Sequence, residues 1–482
     1  MNTDATTIAL NDGQRSITYA AMHEAAQTLA DVLRAQGTRV LATLMDNSPA
    51  WVIADLAAGQ AGVVHVPLPA FFTPAQIAHA LMAAGVDSLL TTEAVANQWA
   101  HAPRQDCTVA GQALQCLRLP ALQQTFPAGT AKITFTSGTT GQPKGVCLTA
   151  QGMRQVADGL VLALEPLGIR RHLCALPFAV LLENIAGVMA PLARGAEIIV
   201  LPLGDLGLTG SSSFDPARFH AAVQQHQPNS LILLPQMLRA WVGWLARQGQ
   251  RAPASLRMVA VGGAAVGAPL IEAAHRLGIP AYEGYGLSEG ASVQTLNLPG
   301  ADRPGSAGKP LPHASVRVTR DGELEVSGSL FAGYLGDPKA PPDWWPTGDL
   351  GHIDADGFVQ VRGRRKNVLI TAFGRNVSPE WVETALRGEN AIGQAVVLGD
   401  GQAALSAVLW PTNPAIADSE LHAAVHVANA SLPDYARIRH WVRAAAAFSA
   451  DTGMATANGR PQRDAILARH AEALGLLADA AL

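Results

Sequence analysis

Short apolar runs and helical stretches take turns along most of this chain, and that alternation is the strongest constraint on its fold. Residues 17–34 read as the start of a strand followed by an amphipathic helix. Runs at 40–45, 62–67 and 87–91 read as strands, with helices at 49–59 and 74–84 between them. The pattern resumes from 132 to 283. There, apolar runs at 173–176, 196–201, 229–234 and 258–261 are separated by helical stretches such as 216–226 and 267–277. Strands joined through helices pair in parallel, so the pattern predicts layered parallel α/β structure. Residues 101–130 show no clear period and are expected to form a long connection.

After residue 313 the texture changes. Stretches 315–319, 323–327 and 358–362 alternate, with Asp321-Gly322 and Asp356-Gly357 as turn signals. This predicts antiparallel hairpins, a small barrel-like part closing a large N-terminal domain. From 367 on, the chain reads as a smaller α+β unit. Strands are expected near 368–371, 393–398 and 403–409, and helices near 379–386, 418–430 and 463–478. The charged cluster at 364–366 separates the two textures, which gives domains 1–365 and 366–482.

Composition narrows the functional classes. The 482 residues carry a formal charge of −4 with no basic block, which argues against a nucleic-acid partner. Apolar residues make up 49% and charged residues 15%, so the chain is expected to fold rather than stay disordered. The best apolar run, 173–182, holds ten residues and contains Pro177, too short for a membrane span. The N-terminus shows no secretory pattern, so a cytoplasmic location is expected. Four cysteines without a CxxC pair argue against a disulfide scaffold and make buried thiols the simple expectation.

The most informative stretch runs from Ile133 to Val146. An apolar strand enters a loop holding Thr136, Ser137, Gly138, Thr139, Thr140, Gly141 and Lys144. Glycines let the backbone wrap closely around a ligand, and exposed N–H groups form an anion nest. The hydroxyls add donors and Lys144 adds a point charge, a set that suits a triphosphate. As bare composition, such a stretch is also an ordinary turn. It is not a Walker loop, because no Gly-Lys-Ser/Thr follows.

The string Thr136-Ser-Gly-Thr-Thr-Gly-Gln-Pro-Lys-Gly145 resembles the signature of the adenylate-forming (AMP-binding) superfamily. That group includes acyl- and aryl-CoA synthetases, nonribosomal peptide adenylation domains and luciferases. Tyr285-Gly-Leu-Ser-Glu289 resembles its Tyr-Gly-x-Thr-Glu element, and Thr347-Gly-Asp349 matches its Thr-Gly-Asp. Gly363-Arg-Arg-Lys366, with Gly374 and Pro379-Glu380, resembles the segment that opens a small, mobile C-terminal domain. Ile17-Thr-Tyr19 and Asn47-Ser-Pro-Ala-Trp51 extend the resemblance over roughly residues 15 to 465.

The resemblance implies a reaction in two steps. A carboxylic acid attacks the α-phosphate of ATP to give an acyl-adenylate and pyrophosphate; a thiol then displaces AMP. It implies that Thr136 to Lys144 cradle the β- and γ-phosphates, and that Glu289, with Thr136, holds Mg²⁺. Tyr285 would stack on adenine within an element that includes Gly286 and Ser288. Asp349 would accept the ribose hydroxyls, and Arg364 would add a ribose or phosphate contact. Lys366 takes the place of the hinge residue, and Thr371-Ala-Phe-Gly-Arg375 would line the path of the thiol. That thiol is coenzyme A or the phosphopantetheine of an acyl carrier protein.

Two positions depart from the pattern. The family's C-terminal lysine, which bridges acid and α-phosphate, is matched here by Arg460 within Thr456-Ala-Asn-Gly-Arg-Pro-Gln-Arg463. Leu176-Pro-Phe-Ala-Val-Leu-Leu-Glu183 resembles an element of long-chain acyl-CoA synthetases, with Val180 in place of histidine. By the resemblance, Val180, Leu181, Asn184, Gly263, Ala264 and Gly284 line the acid pocket. With no charge ready for a second ionised group, that pocket suits a medium- or long-chain fatty acid first and an aryl acid second. A homologue that binds ATP without full ligase activity is the alternative. A serine hydrolase at Ser288, with Asp349 and His352, is a remote one: Gly286-Leu-Ser-Glu-Gly290 fits Gly-x-Ser-x-Gly, but the following segment is too short for the helix such an elbow opens.

Overall fold

Hydroxyl caps and first-turn prolines set the helix starts of the N-terminal region. Ser48 Oγ accepts from the Trp51 N–H directly before Pro49, and Thr73 Oγ1 accepts from Gln76 directly before Pro74. The helices Tyr19–Ala35, Pro49–Ala61 and Pro74–Ala83 thereby alternate with the parallel strands Val40–Leu44, Val64–Pro67 and Ser88–Thr91. Left-handed Gly62 ends the second helix, so the following strand begins at Val64 rather than at 62. The computed structural model describes residues 6–136, 143–209, 213–337, 339–370, 376–402, 404–456 and 459–474.

The fold is α/β, as the alternation predicts. Two large sheets form the N-terminal part. An eight-stranded sheet has Val40–Leu44 near its centre, with Thr130–Thr136 and Lys144–Thr149 as an antiparallel pair on one side. A nine-stranded sheet carries Arg171–Leu173, Glu197–Ile199, Ser230–Leu233, Met258–Val261 and the start of Ala281–Leu287 in parallel. Trp51 and Phe178, both 1% exposed, sit 5.1 Å apart in the core between the two. Asn47 Nδ2 donates to the Leu176 carbonyl and its Oδ1 accepts from the Phe178 N–H, which anchors the segment leading to Val180. The strands Ala314–Val318, Glu323–Gly328, Trp345–Ile353 and Val359–Arg364 form the curled antiparallel part. The C-terminal part packs Pro379–Arg387 and Asp418–Ala430 against a sheet of Ile392–Leu398, Leu405–Pro411 and Ile438–Arg443.

The structure departs from the sequence reading in several places. Residues 101–130 are not a plain connection: Arg104–Val109 and Gln112–Arg118 pair as a hairpin at the edge of the eight-stranded sheet. Its turn, Ala110-Gly111, has φ of 51° and 74°, the doubly left-handed geometry of a two-residue hairpin. The outer strand is mostly exposed, so it carries no apolar alternation to read. The strand Ile438–Arg443, with only Ile438 fully buried, likewise carries no apolar alternation to read. Residues 183–189 form a π-helix, and the last helix spans Arg463–His470 before the described residues end at 474. The cysteines Cys107, Cys116, Cys147 and Cys174 are all free. No helix among the described residues is long and apolar enough to cross a membrane.

Candidate functional site

The edges of the large sheets, the curled sheet and the C-terminal part meet in one cleft of about 2380 Å³. Ser137, Gly138, Thr139, Thr140 and Gly141 lie outside the described residues, but both ends of their loop are placed. Thr136 and Lys144 pair across the strands that flank it, and both line the cleft. Lys144 Nζ sits 3.2 Å from the centre of the Tyr334 ring, a cation–π contact. The Tyr334 hydroxyl donates to Glu289 Oε1 at 2.7 Å. Sequence reading missed Tyr334, which lies in the two-residue strand Gly333–Tyr334, too short for periodicity. Its register against Val146 brings it beside Lys144.

A second cluster faces the first. Asp349 is 5% exposed on the strand Trp345–Ile353. It accepts from the Tyr285 hydroxyl at 2.6 Å and from Arg364 Nε at 2.9 Å. Burial pushes the Asp349 carboxyl above the usual range, with Arg364 and the Tyr285 bond pulling it back. Burial and the neighbouring Asp349 also hold Tyr285 protonated. Arg364 Nη1 donates to the Thr347 carbonyl, which fixes the guanidinium in place. Gly363 has a reason beyond flexibility. A Cβ there would lie 2.0 Å from Ser378 Oγ and 2.5 Å from Glu380 Oε2, so only glycine lets the two parts of the chain approach.

Arg460 reaches this cluster from the C-terminal part. The turn carrying it is closed by Thr456 N–H to the Arg460 carbonyl and by Arg460 N–H to Thr456 Oγ1. The following helix is anchored by Arg463, which pairs with Glu383 at 2.5 Å and Glu380 at 3.5 Å. Arg460 stays open to cleft solvent while protein surrounds its cation on most sides. Burial first, then Arg364, lowers its pKa; Asp349 and Glu289 act the other way. Lys366 lines the same cleft and makes no ion pair among the described residues. The 371–375 segment lies outside the described residues.

An apolar pocket continues from the cleft along one face of the nine-stranded sheet. Val180, Leu181, Gly263, Ala264 and Gly284 line it, as do Gly286 and Ser288 nearer the mouth. Asn184 does not, contrary to expectation. Leu182, Ala186 and Ala190, which flank and sit within the π-helix Glu183–Met189, recur at four-residue spacing toward the pocket, and Asn184 lies half a turn away. There it bonds to Lys132 Nζ and, at 3.1 Å, to Asp55 Oδ2.

Two further groups of buried polar side chains border the pocket. His172, Cys174 and Glu183 present atoms within 4.8 Å of one another. His172 bonds Ser230 at 2.8 Å and Glu183 at 3.4 Å, and Cys174 donates to the Gly187 carbonyl, so the group is a hydrogen-bonded core cluster. Burial pushes the Glu183 carboxyl up. Glu283, at the pocket mouth, is pushed by burial from 4.5 to about 7 despite N–H donors from Val266 and Gly267. A raised carboxyl pKa stabilises the fold most below the unfolded value and loses that contribution as pH rises through about 7. Substituting Glu283→Gln should therefore shift relative stability by about 3 kcal/mol in the variant's favour between pH 4 and pH 8. Urea unfolding of both proteins across that range checks it; a pH-independent difference sinks the assignment.

The hydrolase arrangement is not formed. Ser288 opens a single tight turn, Ser288–Gly290, followed by a strand rather than a helix. Asp349 is committed to Tyr285 and Arg364, and no hydrogen bond joins it to His352 among the described residues.

Such a cleft, with cations and hydroxyls around two acidic positions and an apolar pocket leading away, can hold a polyanion beside an apolar ligand. The family model for AMP-binding enzymes matches residues 1–335, and the model for the AMP-binding enzyme C-terminal domain matches 366–477. The chain belongs to the AMP-binding enzyme family. It is 29% identical over 422 residues to the long-chain-fatty-acid–CoA ligase FadD15 of Mycobacterium bovis, covering 73% of this chain and 70% of that protein. It is 30% identical over 426 residues to a feruloyl-CoA synthase of an Amycolatopsis species, covering 81% and 82%. The fold is also that of the anthranilate CoA ligase AuaEII in complex with anthranoyl-AMP, at a TM-score of 0.81 and 19% identity, with 98% of this chain and 96% of that one covered. O-succinylbenzoate coenzyme A synthetase of Bacillus subtilis, in complex with ATP and magnesium, aligns at a TM-score of 0.74 and 24% identity, covering 95% and 96%.

Proposed function

We propose that this chain is an ATP- and Mg²⁺-dependent acid–CoA ligase acting on a medium- or long-chain acid. The observation that carries the reading is the convergence of Lys144, Glu289, Asp349, Arg364 and Arg460 on one cleft that opens into an apolar pocket. Bringing a carboxylate to a triphosphate is mainly a problem of charge compensation and positioning, and these residues supply both. Glu289 has one oxygen committed to Tyr334 and a second without a partner among the described residues. Glu289 and the Thr136 hydroxyl, both on this cleft, would supply oxygen ligands of the kind Mg²⁺ takes, and the ion would neutralise phosphate charge. Lys144, freed from the Tyr334 face, carries its charge to the β- and γ-phosphates. Asp349 receives the ribose hydroxyls, Tyr285 stacks on the base and Arg460 steadies the acid against the α-phosphate.

Domain 366–482 then turns about Lys366, and a thiol reaches the acyl-adenylate. Coenzyme A fits the relatives' named activity; a carrier protein offers the same phosphopantetheine arm. An aryl acid is the second reading, favoured by the feruloyl-CoA synthase relative. ATP–pyrophosphate exchange with saturated, unsaturated and aryl acids tests the proposal. Lys144→Ala should lower exchange about 100-fold or more, because it removes a preorganised cation from the charge that develops. Exchange undiminished in that variant would mean the phosphate site lies elsewhere.

A further inference from the structure

The pocket has an unusual floor. Successive rungs of the nine-stranded sheet set its depth: Ile232 pairs with Ala260, and Ser230 pairs with Met258 on one side and His172 on the other. Alternation puts Ser230, Ile232, Met258 and Ala260 on one face, toward Leu182 and, in the π-helix, Ala186. Met258 is four residues below Gly262, so its rung lies about 13 Å from the mouth. An extended chain advances about 1.2 Å per bond, so that depth takes about eleven bonds. Toward this end the lining includes Leu160, Val161, Leu164, Ile169, Pro191 and the cation Arg194.

Arg194 is tethered at two points. Its Nε donates to the Ile169 carbonyl at 3.2 Å and its Nη2 to the Glu165 carbonyl at 3.4 Å. Its Nη1 is buried and has no partner among the described residues. The polar pair on the Met258 rung, His172 and Ser230, is different, because each already bonds the other. The donor at this end that still lacks an acceptor is on Arg194. A terminal methyl group would leave it unpaired, whereas an oxygen would receive a charge-assisted hydrogen bond.

We propose, resting on the ligase reading above, that the preferred acid is of medium length and carries an oxygen acceptor at its far end. The class is an ω-oxygenated aliphatic acid, with a hydroxyl, oxo or carboxylate group received by Arg194. The apolar walls between Gly262 and Met258 hold the chain, and the guanidinium measures its length. Recognition of this kind discriminates strongly, since a site built to bond an oxygen rejects the analogue that lacks it.

The test is ATP–pyrophosphate exchange with decanoate, dodecanoate and tetradecanoate beside their ω-hydroxy and α,ω-diacid counterparts. In the wild-type protein the best ω-oxygenated acid should exceed the plain acid of equal length about tenfold or more in kcat/KM. Arg194→Met should bring that ratio to about one, and Arg194→Lys should retain part of the preference. Equal kcat/KM for plain and ω-oxygenated acids in the wild type overturns the proposal and assigns a water to Nη1. So does a preference that survives Arg194→Met. Should either variant fail to fold, the wild-type ratio alone decides. Silence with every acid has a separate meaning: it overturns the aliphatic-acid reading of the ligase, and this proposal with it.

Discussion

Asp55→Ala should destabilise the protein by about 3–5 kcal/mol, the loss expected when a buried ion pair is broken from one side. Asp55 lies on the helix Pro49–Ala61 at the centre of a closed network. It accepts from Lys132 Nζ at 2.8 Å, from His65 Nδ1 at 2.6 Å and from Asn184 Nδ2 at 3.1 Å. Lys132 also donates to Asn184 Oδ1, and His65 Nε2 pairs with Thr43 at 2.9 Å. Lys132, His65 and Asn184 are 3%, 1% and 1% exposed, so removing Asp55 strands a buried ammonium. Burial pushes the Asp55 carboxyl up, but Lys132 and His65 more than offset it and hold the pKa well below the usual range. Burial likewise lowers the pKa of His65, which stays neutral. Both pKa values are depressed, so the network's contribution is present above the unfolded values and fades as pH falls, first through the histidine range near 6.5. Urea unfolding near pH 7.5 gives the loss directly, and Asp55→Ala with Lys132→Met should recover part of it. An Asp55→Ala variant within about 1 kcal/mol of wild type would show that water relieves the charge.

The same network marks the limit of what sequence reveals. The alternating N-terminal strands and helices were legible because apolar period and hydroxyl or proline helix starts agree at Thr18, Ser48 and Thr73. The loop between Thr136 and Lys144 was legible from composition, and its reading sharpened through a long motif. Asn184 was not. Its neighbours Val180 and Leu181 do line the pocket, and nothing local reveals that the next turn is a π-helix. Nor does sequence show that Asp55, His65 and Lys132, brought together from three elements, wait behind that wall. Tyr334 failed for a related reason: its position follows from pairing with a strand nearly two hundred residues earlier. Edge strands such as Arg104–Val109 and Ile438–Arg443 fall between these cases, since exposure erases the pattern that marks a strand.

Arg460 is where motif and geometry can be separated by experiment. Arg460→Ala should lower ATP–pyrophosphate exchange by about a thousandfold, the upper range for removing one preorganised donor. Thioester formation from a supplied acyl-adenylate should fall far less if, as proposed above, the C-terminal part turns about Lys366 before that step and carries Arg460 away. The lysine variant is the sharper comparison. A lysine ammonium is a compact point charge, whereas a guanidinium presents a planar fork able to bond two acceptors. Arg460 feels the charges of Arg364, Asp349 and Glu289 together. A fork can bridge the acid and a phosphate oxygen in that space while its neighbours stay paired, so Arg460→Lys should cost about tenfold in exchange. Exchange equal to or faster than wild type in the lysine variant would overturn this, and would leave arginine as a tolerated replacement in a site still shaped for lysine.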